Sequence, residues 1–270
     1  FLNDVPGVTS MFQLDLAPAD PILGLTETFK ADTHPDKINL GVGVYQDATG
    51  KTPILKAVTQ AEIRLLETEI AKSYLPIPGV TELAAHTQEL LFGAGHAIIQ
   101  EGRAKTAQTP GGTGALRVAA DFLLRAAPRA TVWISNPSWA NHQAIFEAAG
   151  HPVKDYRYYD KASQGLDGEG LMVDLEQMSD GDILILHGCC HNPSGIDLDQ
   201  AAWEAIAAQA KAKNLICLVD FAYQGFDEGI EEDRAGLHVL LNAGLAVLVT
   251  SSYSKNFGLY SERIGAITIV

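Results

Sequence analysis

The chain has 270 residues, 47% of them hydrophobic and 19% charged, with a formal net charge of -14. That length and apolar content are enough for a substantial core, arranged as one large domain or two small ones. So acidic a surface opposes nonspecific binding to nucleic acid or to an anionic membrane, while leaving room for a local basic pocket.

Three cysteines, two of them adjacent at Cys189 and Cys190, make no disulfide framework. A reducing compartment, and so a cytoplasmic location, is expected. No apolar run approaches the roughly 20 residues of a membrane-spanning helix. Phe1-Leu-Asn-Asp lacks the basic segment and apolar stretch of a secretion signal.

In chain order, Asp20-Pro21 leads into a helix over 22–31. A glycine-rich extended piece follows at 39–45, then a helix over 56–69 and a stiff loop, Tyr74-Leu-Pro-Ile-Pro-Gly79. From about residue 100 the pattern changes. Strand-like runs at 104–109, 131–135, 153–158, 182–187, 215–220, 246–251 and 264–270 alternate with helical stretches at 115–125, 141–149, 199–213 and 234–243. The Asp197/Asp199 region is placed to cap the third of these helices. Strands alternating with helices imply an α/β fold, a mostly parallel sheet covered on both faces. Leu215-Ile-Cys-Leu-Val-Asp220 is apolar until its last residue, as a central buried strand should be. The last residues, Ile264 to Val270, read as a strand, so the chain is expected to be a piece of a longer protein.

In such sheets ligands sit beyond the carboxyl ends of the strands, and four polar clusters and a lysine fall there. Gly111-Gly-Thr-Gly114, between a strand and a helix, suits a phosphate or is a plain turn; it is neither a P-loop nor a dinucleotide turn. Trp139, in Asn136-Pro-Ser-Trp139, stacks on a planar ring or packs in the core. His187-Gly-Cys-Cys-His191 holds metal-ligand residue types, but adjacent cysteines do not easily share one tetrahedral ion, so no metal is expected. Asn192 reads as a loop donor. Asp220 ends an apolar strand, where a carboxylate needs a positive charge, a metal or solvent. Lys255 follows the apolar run 245–250; desolvation there lowers an amine's pKa and makes it nucleophilic, although an ordinary surface lysine has the same local sequence. Together these ends supply a phosphate cradle, a stacking ring, an acid for a ring nitrogen and a lysine, the set required by pyridoxal phosphate.

The motifs Asn39-Leu-Gly-Val-Gly-Val-Tyr45, Gln108-Thr-Pro-Gly-Gly-Thr-Gly-Ala-Leu116, Asn136-Pro-Ser-Trp139, His191-Asn-Pro-Ser-Gly195, Asp220-Phe-Ala-Tyr-Gln-Gly-Phe226 and Ser252-Tyr-Ser-Lys-Asn-Phe-Gly-Leu-Tyr260 occur in one order. In this, and over nearly its whole length, the chain resembles class I aminotransferases of the aspartate/aromatic subgroup. The resemblance implies a type I pyridoxal-phosphate transferase fold with a seven-stranded, mostly parallel sheet. It makes 1–50 an arm and the start of a small domain, and 51–270 the large cofactor domain, with the C-terminal part of the small domain absent. Lys255 would carry the cofactor as a Schiff base and move the proton at the substrate α-carbon. Asp220 would pair with the pyridinium, backed by His142. Tyr223 and Asn192 would bond the ring oxygen, and Trp139 would stack on the ring. Gly112, Thr113, Ser252 and Arg263 would hold the phosphate, Arg263 through its bidentate fork. Tyr74 would reach the phosphate from the partner of a homodimer. Gly43, Trp139 and Asn192 would line the substrate site. Gly111 stands where many members have serine. The family's two substrate-carboxylate arginines lie beyond the segment matched here.

The implied reaction is a ping-pong transfer of an amino group from an L-amino acid, aspartate or aromatic, to 2-oxoglutarate. Two other readings stand beside it. Ser252-Tyr-Ser-Lys255 fits the S-x-x-K of serine acyl-enzymes, but Ser179-Asp-Gly and Lys51-Thr-Pro do not complete that class's other motifs. The chain could also bind cofactor without turnover.

Overall fold

The computed structural model describes residues 25, 28–38 and 43–270. The chain divides into two compact units, Phe1–Thr52 and Pro53–Val270. In the first, residues 28–31 are helical; half of the residues of the helix expected over 22–31, and residues 39–42 of the extended piece, lie outside the described residues. A tight turn at 47–51 is closed by Asp47, whose backbone N–H donates to the Lys51 carbonyl at 2.8 Å. Its side-chain Oδ1 accepts from the backbone of Thr49 and Lys51.

The second unit opens with helix α1 (Lys56–Thr68), none of whose residues is buried. Helices α2 (Thr81–Phe92) and α3 (Ala97–Gln100) follow. Then come β1 (Lys105–Pro110), α4 (Gly111–Ala126), β2 (Val132–Asn136), α5 (Ala140–Ala149) and β3 (Val153–Arg157). A small ribbon, β4 (Tyr159–Asp160) and β5 (Gly165–Leu166), leads to α6 (Gly168–Gln177), β6 (Ile183–His187), α7 (Gln200–Ala212) and β7 (Ile216–Phe221). Helix α8 (Ala235–Asn242) and strands β8 (Val247–Ser252) and β9 (Ile264–Ile269) complete the unit.

Seven strands form one sheet in the order β1-β9-β8-β7-β6-β2-β3. Only β9 runs antiparallel to its neighbours β1 and β8. The mostly parallel sheet expected from the alternating pattern, with the seven strands the resemblance implies, is therefore present. Period-two alternation divides its side chains between two cores. Ile183 and Ile185 of β6, Leu218 of β7 and Leu248 of β8 pack with α4 and α5 through Ala115, Leu116, Ala119, Leu123 and Phe146. Leu184, Leu186, Cys217, Val219 and Val249 face α2, α6, α7 and α8 through Phe92, Leu175, Trp203, Ile206 and Leu237.

Three helices were misread from sequence alone. Helix α4 begins at Gly111, so the glycine run is its first turn and not a loop ahead of it. Glycine is poor inside helices, but here it permits a close approach: a Cβ on Gly112 would lie 2.9 Å from the Ser252 Cβ. Helices α2 and α6 were missed. Each buries only three residues, so its apolar stripe is short. The Asp197/Asp199 pair divides its labour. Asp199 caps α7 by accepting from the Ala202 N–H at 2.8 Å. Asp197 accepts from the Cys190 and His191 N–H groups, both at 2.7 Å, and so braces the loop before Asn192.

Candidate active site

The parallel strands β6, β7 and β8 carry His187, Asp220 and Thr250 side by side in register. By strand parity these three point to the α4/α5 face, near the carboxyl ends of their strands, where doubly wound sheets bind ligands.

Asp220 is the buried centre. Its Oδ2 lies 2.9 Å from His142 Nε2, and its Oδ1 accepts from Thr250 Oγ1 at 2.8 Å. Burial alone would raise its pKa, but the hydrogen bonds from His142 and Thr250 and the neighbouring imidazoles outweigh that and hold it below the usual carboxylate value. His142, in the first turn of α5, is fully buried; its Nδ1 lies 2.9 Å from Ser138 Oγ. The ring of Trp139, the N-cap residue of α5, meets that of His142 edge-on at 5.5 Å.

Behind them stand two more histidines, His191 buried and His187 partly buried. His187 accepts from the Asn192 N–H at 3.1 Å and stacks on His191 at 4.2 Å. His191 Nε2 lies 2.8 Å from Ser135 Oγ, and its ring stacks on Tyr158 at 4.0 Å. Burial, then the neighbouring imidazoles, push His187 down to about 3 and His191 to about 4. Both are neutral at physiological pH and order the Asn192 loop. With Cys189 and Cys190 they do not converge on a point, and among the described residues no cluster of three or more ligating side chains is placed to hold a metal.

Lys255 lies in the turn after β8, half-buried, its Nζ 4.9 Å from the Tyr223 ring centroid. Desolvation lowers its pKa most, Asp220 works in the opposite sense, and Arg263 adds to the lowering. Burial, then Asp220, raises the Tyr223 phenol. Ser252 is the last, buried residue of β8; it opens no helix, unlike the serine of an S-x-x-K enzyme.

Arg263 crosses the N-terminus of α4. Its Nη1 donates to Ser254 Oγ at 3.2 Å and to the Tyr260 carbonyl at 3.1 Å. A Cβ on Gly111, whose φ is +76°, would lie 2.5 Å from an Arg263 guanidinium nitrogen. Glycine at 111 and 112 therefore leaves a cradle of free helix N–H groups beside the Arg263 guanidinium and the Ser252 hydroxyl, donors suited to a dianionic phosphate. Among the described residues neither Lys255 nor Arg263 has a carboxylate within ion-pair distance. Thr113 sits exposed on the same turn.

The structure thus brings together Lys255, Asp220, Tyr223, His142 and Trp139, with Gly112, Thr113, Ser252 and Arg263 at the cradle. Tyr74 is fully exposed on the loop between α1 and α2. Gly43 lies in the first unit, exposed, with nothing within 4 Å of a Cβ built on it. Sequence reasoning passed over Thr250 and Ser138. Thr250 was findable, being two residues before Ser252 on the same strand face; Ser138 touches Asp220 only through His142 and left no signal.

Such a sheet, with a buried acid, a desolvated lysine and an anion cradle at one end, has the type I fold of pyridoxal-phosphate transferases. The profile of the family described as aminotransferase class I and II matches residues 35–270, and the chain belongs to that family. It is 55% identical to an aspartate aminotransferase of Salmonella typhi, over 96% of this chain and 66% of that protein. An aromatic-amino-acid aminotransferase of Pseudomonas aeruginosa is 46% identical over 93% of this chain and 63% of its own length. Among solved structures, an aromatic-amino-acid aminotransferase from Burkholderia pseudomallei, covalently bound to pyridoxal phosphate, superposes with a TM-score of 0.94 at 47% identity, covering 97% of this chain and 66% of that one. The cytoplasmic aspartate aminotransferase of Saccharomyces cerevisiae gives 0.90 at 33%, over 95% and 64%. The chain spans 66% or less of the length of each of these relatives.

Proposed function

We propose that this protein is a pyridoxal-phosphate-dependent aminotransferase that moves an amino group from an L-amino acid to 2-oxoglutarate in ping-pong fashion, with aspartate as the principal donor. The observation that carries the reading is the convergence of Lys255, Asp220 and the Arg263 cradle at one end of the sheet. The residues fit the group: the Cβ-free turn at Gly111–Gly112 leaves space beside Arg263 and Ser252 for a phosphate, and buried Asp220 stays ionised to meet a cationic ring nitrogen.

When bound, pyridoxal phosphate supplies an aldehyde for covalent attachment and an electron-poor ring that takes up carbanion charge. The chain's own residues do the rest. Gly112, Thr113, Ser252 and Arg263 hold the phosphate. Asp220, kept ionised by His142 and Thr250, pairs with the ring nitrogen. Trp139 covers one ring face, and Tyr223 and Asn192 donate to the ring oxygen. Lys255, with its lowered pKa, carries the cofactor and exchanges a proton with the substrate α-carbon. Trp139 and Asn192 border the substrate.

Aspartate is favoured by the 55% identity to an aspartate enzyme. The aromatic alternative rests on the aromatic-amino-acid aminotransferase that superposes at 0.94. A homodimer in which Tyr74 reaches the partner's phosphate is supported by the exposure of Tyr74 and of apolar residues on and around α1. No helix among the described residues is long and apolar enough to cross a membrane; a cytoplasmic setting rests on the cysteine pattern. A donor panel of aspartate, tyrosine and phenylalanine against 2-oxoglutarate tests the reading. Aspartate turnover above the other two is expected. Cofactor absorbance without turnover of any donor would reduce the chain to a cofactor-binding module.

A further inference from the structure

The residues flanking Tyr223 and Lys255 are tied to each other and to one helix end. Gln224 is buried next to Tyr223; its Nε2 donates to the Leu90 carbonyl at 2.8 Å and to the Ile230 carbonyl at 3.1 Å. Asn256, next to Lys255, donates from Nδ2 to the Gln224 carbonyl at 3.3 Å. The Asn256 Oδ1 is buried with no partner, so the amide is spent on that one donation. Two residues before Lys255, the buried Tyr253 hydroxyl lies 2.5 Å from Thr87 Oγ1 on α2.

Two of these bonds, Gln224 to the Leu90 carbonyl and Tyr253 to Thr87, run to the second half of α2, whose terminal carbonyls lack helical partners. Arg234 donates to the Glu89 and Leu90 carbonyls, and His238 Nε2 lies 3.2 Å from the Leu91 carbonyl. Helix α2 is thus capped by side chains from the segment that follows Tyr223, and it grips the Lys255 turn through Tyr253. Nothing in this network touches the cofactor cradle.

We propose that Gln224 and Asn256 are positioning residues: the Asn256–Gln224 bridge, anchored on the α2 C-terminus, sets the distance and the shared desolvation of Tyr223 and Lys255. The inference rests on the assignment of Lys255 as the cofactor lysine. Without the bridge the two turns move independently, water reaches the Lys255 amine, and the amine is no longer held in its low-dielectric position. Asp220 and Arg263, the charged groups facing Lys255, stay in place, while the titratable Tyr223 moves with its own turn.

The test compares wild type with Asn256→Ala and Gln224→Met. In cofactor-free chain, the pH midpoint for labelling Lys255 by an amine-acylating reagent is read by mass spectrometry, with exposed Lys72 as the internal reference. In cofactor-loaded chain, the pH midpoint of the absorption band is read, and melting temperature is followed throughout. Both variants are expected to raise the Lys255 labelling midpoint by about half a unit, roughly a threefold change in free amine at neutral pH, and to move the absorption midpoint in the same sense. Lowered melting with unmoved midpoints would make the network purely structural and overturn the proposal. If Gln224→Met does not fold, the half-buried Asn256→Ala decides alone. A wild type with no cofactor band would instead overturn the assignment of Lys255, while the labelling midpoints would still decide the bridge.

Discussion

Asp220 shows what one side chain costs and does. A carboxylate in a sheet interior is unfavourable unless each lone pair is met. His142 and Thr250 meet them here, and the pKa falls in spite of burial. Asp220→Ala removes a buried carboxylate placed to meet a ring cation, and truncating one member of such a pair costs ~2–5 kcal/mol. Cofactor affinity, read by fluorescence titration, is expected to drop by two or more powers of ten. His187 and His191 give a pH prediction of opposite origin. Their pKa values are depressed from 6.5 to about 3 and about 4, so they stay neutral in the fold while the unfolded chain takes up their protons. Stability is therefore complete above pH 6.5 and falls as the pH drops toward 4, with a slope on the order of 1 kcal/mol per histidine per pH unit. Urea midpoints at pH 7 and pH 5 measure it, and His191→Gln should flatten the slope.

At the scale of elements, the close packing of β8, β9 and the α4 N-terminus is the demanding feature. A Cβ on Gly265 of β9 would lie 2.5 Å from the Gly111 carbonyl carbon and 2.7 Å from the Ser251 carbonyl oxygen, so backbone must move. Gly265→Ala is expected to cost ~1–3 kcal/mol in chemical denaturation. Gly112→Ala, pressing on the Ser252 Cβ, is expected to weaken inorganic phosphate binding more than stability. Much of this layer was legible in the sequence. Apolar runs such as 215–220 and 246–251 read as interior strands, and polar residues at their ends marked Asp220 and Lys255 as ligand-facing, while Ser252 entered only through the family resemblance. Helix α4 was misplaced by a turn because glycine propensity speaks against a helical start that close packing enforces. The α2 splint was unreadable, since Thr87, Gln224 and Asn256 carry no periodic signal and are 166 or fewer residues from partners chosen only by folding.

For the whole molecule, the second unit leaves apolar surface uncovered. Ile63, Leu65 and Leu66 of α1, with Ile70 and Ile77 beyond it, are exposed, and α1 buries no residue. Apolar area of this kind marks an interface. Sedimentation equilibrium is expected to report a dimer, and Leu66→Glu to shift it toward monomer. The acidic net charge of -14 does not conflict with binding an anionic cofactor, because the field at the cradle is set locally by Arg263 and the α4 N-terminus. Everything proposed for the chain turns on Lys255 carrying that cofactor. Borohydride reduction of the chain loaded with pyridoxal phosphate, followed by peptide mapping, is the most direct measurement. The prediction is a stable pyridoxyl mass addition on Lys255, abolished in Lys255→Ala; an adduct on another lysine, or none, would contradict it.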